Sequence, residues 1–193
     1  AALPAGTWIA ITSDHGEEFG EHPGAYADQP IPANTRHGHT LYQEVVHVPL
    51  IVRPPNGGLP VRVSSPVGSV DVAETLARIG GSTLGDEIDA VALHEVLGTP
   101  RQGPREIVSE AIRYGIERKA LRLQDKKLIH SEAEDELYWL DSDPGERINL
   151  VAAEPEEASL LREKLPSKKG VQGTEAEASQ TEQNLLEALG YVD

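Results

Sequence analysis

The chain has 193 residues, and its 32 acidic side chains outnumber its 17 lysines and arginines to give a formal net charge of −15. This charge argues against a protein that binds the phosphate backbone of nucleic acids or an anionic membrane surface. The absence of cysteine excludes disulfides, thiolate catalysis and Cys-ligated metal sites. No apolar run approaches the roughly 18 residues that a membrane-spanning helix needs, so we expect no membrane span in this segment.

The sequence also contains no methionine. We therefore expect a processed chain or a piece of a longer protein. Its compartment stays open on composition alone, because any targeting peptide would precede Ala1.

Two apolar strands are predicted in the first part of the chain. Residues 7–12 form a short β-prone run without alternation, which is typical of a strand buried on both faces of a parallel sheet. Residues 16–38 are polar and rich in Gly, Pro and acids, and a loop of about 20 residues is usually functional or mobile. Residues 48–52 are the second apolar run, in which Pro49 favours a sheet edge or a strand start.

A helix and a small sheet are predicted further along. The helix begins at Asp71, whose carboxylate can serve as the N-cap, and ends at Gly80. Short strands over 106–111, 119–123, 127–130 and 137–140 predict a small antiparallel sheet, and a helix that begins at Pro155 can cover it.

The chain end is predicted as a polar linker over 167–179 followed by a last helix. Ser179 and Glu182 form a capping box at the start of that helix. We therefore expect three parts: an α/β unit over 1–104, a small antiparallel β subdomain with its helix over 105–165, and a linker with a terminal helix over 166–193.

The strongest candidate for chemistry lies directly after the first strand, in the segment Ser13-Asp14-His15-Gly16. Ligands of open α/β sheets bind beyond the carboxyl ends of strands. Asp14 and His15 there offer a carboxylate oxygen and an imidazole nitrogen to a divalent cation. Taken alone, the same segment also fits an ordinary turn with a solvated histidine.

A second candidate, His37-Gly38-His39, precedes the second strand. Either imidazole can contact an anionic substrate or act as a general acid near neutral pH. Because the two histidine-bearing loops flank apolar strands, we expect them to meet at one sheet edge.

These segments together carry a family resemblance. Residues 13–22, 37–44 and 48–52, followed in order by 70–76, 136–150 and 186–192, resemble the C-terminal part of a type I sulfatase of the alkaline phosphatase superfamily. The resemblance implies the C-terminal part of an α/β sandwich core plus a smaller antiparallel subdomain with a covering helix. It also implies hydrolysis of sulfate esters and an extracytoplasmic location, periplasmic or secreted.

The resemblance assigns roles to the candidate residues. Asp14 and His15 fall on two ligands of a divalent metal, which is usually Ca²⁺ in sulfatases. His37 or His39 falls near the basic residue that contacts the transferred group or the leaving oxygen, and the choice between the two stays open. The implied partners are a sulfate ester substrate and a missing N-terminal portion of the same enzyme.

One family motif is absent from this chain. Sulfatases attack with a formylglycine made in a Cys/Ser-x-Pro-x-Arg motif, whereas residues 64–68 and 142–146 end in Gly and Glu in place of Arg. We therefore expect the nucleophile in the missing portion and expect this segment alone to be inactive.

Two alternatives stay open. The first is a phosphodiesterase or phosphonate monoester hydrolase of the same superfamily, with Zn²⁺ or Mn²⁺ as the metal. The second is a non-catalytic module that binds a metal or a partner through its acidic loop.

Overall fold

The computed structural model describes residues 3–26, 29, 31, 34–58, 60–96, 104–110 and 113–166. Within these residues the chain has a mixed α/β fold with two antiparallel sheets. The mixed α/β class expected from the sequence is confirmed.

The first sheet is a two-stranded ribbon of β1 (Ile9–Ile11) and β2 (Ile51–Arg53). The strands pair antiparallel, with Ile11 opposite Ile51. Among the described residues the predicted parallel pairing of this strand is therefore wrong, and these two side chains are 55 % and 58 % exposed. The apolar run indicated a strand correctly, but periodicity carries no information on the direction of its partner.

Three helices follow the polar loop: α1 (Gln43–Val46), α2 (Ser69–Ile79) and α3 (Leu93–Val96). Helix α2 begins before Asp71, so the prediction of Asp71 as its N-cap is wrong. Its carboxylate instead accepts a hydrogen bond of 2.8 Å from the backbone N–H of Gly68, the residue at the cap. Asp71 is fully buried and pairs with Arg105, which ties α2 to the start of the second sheet.

The second sheet is a four-stranded meander in the order β3-β4-β5-β6. Its strands are β3 (Glu106–Glu110), β4 (Arg118–Leu123), β5 (Lys126–Ser131) and β6 (Asp135–Trp139). Helix α4 (Pro155–Glu163) follows it. The predicted sheet and its covering helix are confirmed, with strand ends within one or two residues of those expected.

Alternation along the strands gives this sheet two packed faces. One face meets α4 through the cluster of Leu121, Leu128, Leu137, Ala158, Leu161 and Leu165. The opposite face packs against the end of the polar loop through the cluster of Tyr26, Leu41, Tyr42, Ala120, Ile129, Tyr138 and Leu140. The polar loop, which contains His37, therefore packs directly against the second sheet.

The predicted linker over 167–179, the last helix and the family segment 186–192 lie outside the described residues. The division at residues 104 and 165 stays a prediction. In the described part of the chain, no helix combines the length and the apolar character that a membrane crossing requires.

Candidate metal and substrate site

The two histidine-bearing loops meet as expected. The ring of His15, four residues after β1, stacks on the ring of His37 with centroids 4.0 Å apart and planes 22° apart. The predicted proximity of the loops is thereby confirmed, whereas the chemical roles of the residues stay predictions.

Helix α1 holds the first loop in place. The backbone N–H groups of Gly16 and Glu17 donate to the carbonyl oxygens of Val45 and Glu44 at 2.7 and 3.0 Å. A Cβ on Gly16 would lie 2.0 Å from the Glu44 carbonyl oxygen, so any larger residue there would displace the loop from α1. Close backbone approach to α1 is therefore what requires glycine at this position.

A three-residue cluster at this point could hold a metal ion. Ligand atoms of His15, Glu17 and His37 all lie within 4.8 Å of one another. The Nδ1 atom of His15 lies 2.7 Å from the Gly16 carbonyl oxygen, which can only accept a hydrogen bond, so Nδ1 carries the proton. This leaves Nε2 of the neutral ring as the ligand atom, and a backbone carbonyl is a usual partner of the other nitrogen in metal-binding histidines.

The donor set fits a divalent cation. Two imidazole nitrogens and one carboxylate oxygen suit Zn²⁺ or Mn²⁺, whereas Ca²⁺ prefers a shell of oxygens. The surroundings are also acidic, because Asp14 and Glu18 flank the cluster in sequence.

Asp14 lies at the border of the cluster. Its Oδ2 atom is 3.9 Å from Nε2 of His15, and its side chain is 65 % exposed. Its Oδ1 atom accepts a hydrogen bond of 3.1 Å from the backbone N–H of His15, which orients the carboxylate toward the same loop. Asp14 therefore lies within reach of a cation at His15 without belonging to the tightest group.

Glu17 is the member of the cluster that the sequence did not reveal. It was not among the predicted site residues, yet its Oε2 atom lies 3.2 Å from Nδ1 of His37. The available signal was its position two residues after His15, in the loop that follows β1.

His39 is separated from His37 by the structure. Gly38 between them has a φ of +77°, which turns the chain so that the two imidazoles diverge. The His39 side chain is 6 % exposed and its Nε2 lies 3.2 Å from Oε2 of Glu18. A cavity of about 300 Å³ lies beside this pair and is also lined by Gln29 and Thr35.

A buried ion pair supports α1 from the side of the second sheet. Nζ of Lys127 lies 2.7 Å from Oε1 of Glu146, and both side chains are fully buried. The other carboxylate oxygen of Glu146 accepts a hydrogen bond of 2.6 Å from the backbone N–H of Gln43, the first residue of α1. Burial raises the pKa of Glu146 and lowers that of Lys127, and the attraction between the two opposes both shifts.

Comparison with known proteins gives a consistent result. The model of the sulfatase family matches residues 2–82, the part of the chain that contains the histidine cluster. Arylsulfatase K of Bos taurus is 29 % identical over an alignment of 175 residues that covers 83 % of this chain and 30 % of that protein. The chain spans 28–31 % of the length of the curated relatives that it matches.

Solved structures share the fold. The phosphonate monoester hydrolase of Agrobacterium radiobacter matches with a TM-score of 0.63 at 24 % identity, over 81 % of this chain and 34 % of that one. A protein solved in complex with its substrate D-glucosamine-2-N,6-O-disulfate matches with a TM-score of 0.61 at 24 % identity, over 82 % and 33 %. The chain is therefore similar in sequence to sulfatases, and its α/β fold matches part of the fold of these solved structures.

Proposed function

We propose that this chain is part of a metal-dependent hydrolase of sulfuric esters, to which it supplies metal ligands and a substrate-contacting histidine. The observation that carries the proposal is the cluster of His15, Glu17 and His37, because its donor atoms converge within the segment that matches the sulfatase family.

The metal ligands in this proposal are Asp14, His15 and Glu17. His15 presents Nε2, since its Nδ1–H is used by the Gly16 carbonyl. The two carboxylates neutralise the charge of a divalent cation and lie on the same short loop. A bound cation would supply Lewis-acid polarisation of a sulfate oxygen and would stabilise the charge that develops there.

His37 is the proposed substrate contact. Its side chain is 48 % exposed, whereas that of His39 is 6 % exposed and engaged by Glu18. The Glu17 carboxylate faces Nδ1 of His37, which leaves Nε2 on the opposite edge of the ring for a substrate oxygen. In the protonated form this nitrogen can donate to the leaving oxygen as the ester bond breaks.

The nucleophile in this proposal comes from a portion of the protein outside this chain. The chain has no cysteine, and neither of its Ser-x-Pro segments continues to arginine. The matched part of this chain covers only 28 % and 30 % of those relatives, which leaves ample sequence for a formylglycine motif and for further metal ligands.

The test is turnover by the complete protein of aryl sulfate, phosphate and phosphonate esters that share one leaving group. We expect the highest kcat/KM for the sulfate, loss of activity on chelation, and recovery when a divalent metal is restored. Preference for a phosphorus ester, or full activity in excess chelator, would contradict the proposal.

The phosphonate alternative has one observation in its favour. The imidazoles in the cluster suit Zn²⁺ or Mn²⁺ better than the Ca²⁺ expected for a sulfatase, and a phosphonate monoester hydrolase shares the fold. Metal analysis of the same preparation separates the two, because Ca²⁺ accompanies the sulfatase proposal. Metal binding without turnover of any ester would instead favour the non-catalytic module.

A further inference from the structure

A buried carboxylate on the second sheet receives three tyrosine hydroxyls. Glu136, on β6, is 7 % exposed and lies on the face that meets the polar loop. Tyr42 and Tyr138 donate to its Oε2 atom at 2.7 and 2.6 Å, and Tyr26 donates to Oε1. This is an unusually complete set of donors for one buried charge.

The three phenols stay protonated and therefore remain donors. Burial raises the pKa of Tyr26, Tyr42 and Tyr138, and the charge of Glu136 raises each of them further. The guanidinium of Arg118 lies 3.3 Å from the centre of the Tyr26 ring and adds a cation–π contact on the same side.

The three donors differ in where they come from. Tyr138 lies two residues from Glu136 on the same strand, so its hydrogen bond does not connect β6 to another segment of the chain. Tyr26 lies in the polar loop, and Tyr42 is the residue that precedes α1. These two bonds join the loop segment to the second sheet, and Oε1 of Gln29 adds a further link because it accepts a hydrogen bond of 3.3 Å from Arg118 on β4.

Tyr42 is connected to the candidate site through a short series of contacts. It lies at the N-cap of α1, and the carbonyl oxygens of Glu44 and Val45 in that helix accept from Glu17 and Gly16. Glu17 in turn faces His37. The hydroxyl of Tyr42 is therefore one of the contacts that hold α1 on the second sheet, beside the hydrogen bond from Gln43 to Glu146, and α1 in turn binds the loop of the proposed metal ligands.

A second contact supports the same connection. The ring of Tyr42 stacks on His22 with centroids 3.8 Å apart, and Nδ1 of His22 lies 2.6 Å from the carboxylate of Glu44. Displacement of Tyr42 would therefore disturb the N-terminal part of α1 both at the N-cap and, through His22, at Glu44.

We propose that Glu136 is a positioning residue for the candidate site and holds the histidine cluster in register through Tyr42 and Tyr26. The inference rests on the proposed function for its effect on turnover, but not for its effect on the histidine rings. In this proposal Glu136 gives the second sheet a role in catalysis, although no atom of that sheet contacts the reacting group.

The test compares Tyr42→Phe with Tyr138→Phe in the complete protein. Tyr42→Phe removes the donation to Glu136 at 2.7 Å and the hydrogen bond of 3.2 Å that Tyr42 accepts from Tyr26, whereas Tyr138→Phe removes the donation to Glu136 at 2.6 Å. Both variants keep the ring, and their melting temperatures are compared so that a loss of turnover is not mistaken for a loss of stability. Tyr42→Phe should lower kcat by roughly 10-fold or more with little change in KM, because small misplacements of reacting groups are costly. Tyr138→Phe should stay within about 2-fold of the parent in the same assay.

A second readout does not depend on turnover. In the metal-free protein with isotope-labelled histidines, Tyr42→Phe should shift the ring resonances of His15 and His37, and Tyr138→Phe should leave them in place. Equal effects of the two variants on kcat and on these resonances would overturn the positioning role and leave Glu136 as a structural residue. If the parent protein turns over no ester, the proposed function fails, and the histidine resonances alone decide the inference.

Discussion

The imidazole of His15 stacks on that of His37 at a centroid distance of 4.0 Å, although the two residues come from opposite ends of the polar loop. The contact places the loop that follows β1 against the last residues of the polar loop that precedes α1. Glu17 closes the group and provides the carboxylate that faces His37. The ligand atoms of His15, Glu17 and His37 are thus brought together from two loops, which pack against α1 and the second sheet.

The first prediction concerns metal affinity. Replacement of His15 by Ala removes the imidazole nitrogen that the Gly16 carbonyl leaves available, so the affinity for Mn²⁺ or Zn²⁺ should fall by at least roughly 10-fold. Titration calorimetry measures this change. His47→Ala is the matched control, because His47 is exposed and lies outside the cluster. Equal affinities of the two variants would exclude His15 as a ligand.

The second prediction separates binding from chemistry at His37. If His37 contacts the substrate, His37→Ala in the complete protein should retain its metal and lose roughly 10² to 10⁴-fold in kcat. Metal content and steady-state kinetics on one sample give both quantities. Loss of the metal itself would make His37 a ligand and would overturn its assignment as the substrate contact.

The third prediction concerns the close approach at Gly16. Gly16→Ala places a methyl group against the Glu44 carbonyl, so we expect a loss of about 1–3 kcal/mol in the free energy of unfolding, with weaker metal binding as the loop moves. Gly58→Ala is the control, because no atom lies within 4 Å of its added Cβ. Denaturant unfolding of the two variants provides the comparison, and equal stabilities would show that α1 does not hold the loop this closely.

Much of this fold follows from periodicity along the sequence. Alternation in β4, β5 and β6 gives one side of the sheet to α4 and the other to the loop, and the predicted strands agree with it. The direction of β1 against β2 could not be predicted, because an uninterrupted apolar run fits either orientation.

The candidate site was predictable only in part. Asp14, His15 and His37 stand out because their residue types follow or precede apolar runs. Glu17 is one of many acids in a polar loop, and nothing local distinguishes it from a solvated one. The contact of Tyr26 with Glu136 joins residues far apart in the sequence, and such pairings have no local signature.

The fourth prediction is a dependence of stability on alkaline pH. Because the folded-state pKa values of Tyr26, Tyr42 and Tyr138 are raised above their ordinary value near 10, their contribution to stability is fully present below pH 10. It is lost progressively as the pH rises above 10, since only the unfolded chain can then release these protons. We expect three of the five tyrosines to ionise only together with unfolding.

Tyrosinate absorbance and circular dichroism followed in one alkaline titration measure this coupling. Tyr42→Phe should remove about one third of the absorbance change that accompanies unfolding. Ionisation of all tyrosines well before the loss of secondary structure would show that the phenols are not buried against Glu136.

The central claim is that Asp14 and His15 hold a divalent cation, and metal analysis of the complete protein carrying Asp14→Ala tests it most directly. Because Asp14 is exposed, the substitution should leave the melting temperature within a few degrees. The account predicts about one divalent ion per chain in the parent and a large loss of that ion, together with ester turnover, in the variant. Undiminished metal and turnover in Asp14→Ala would contradict it.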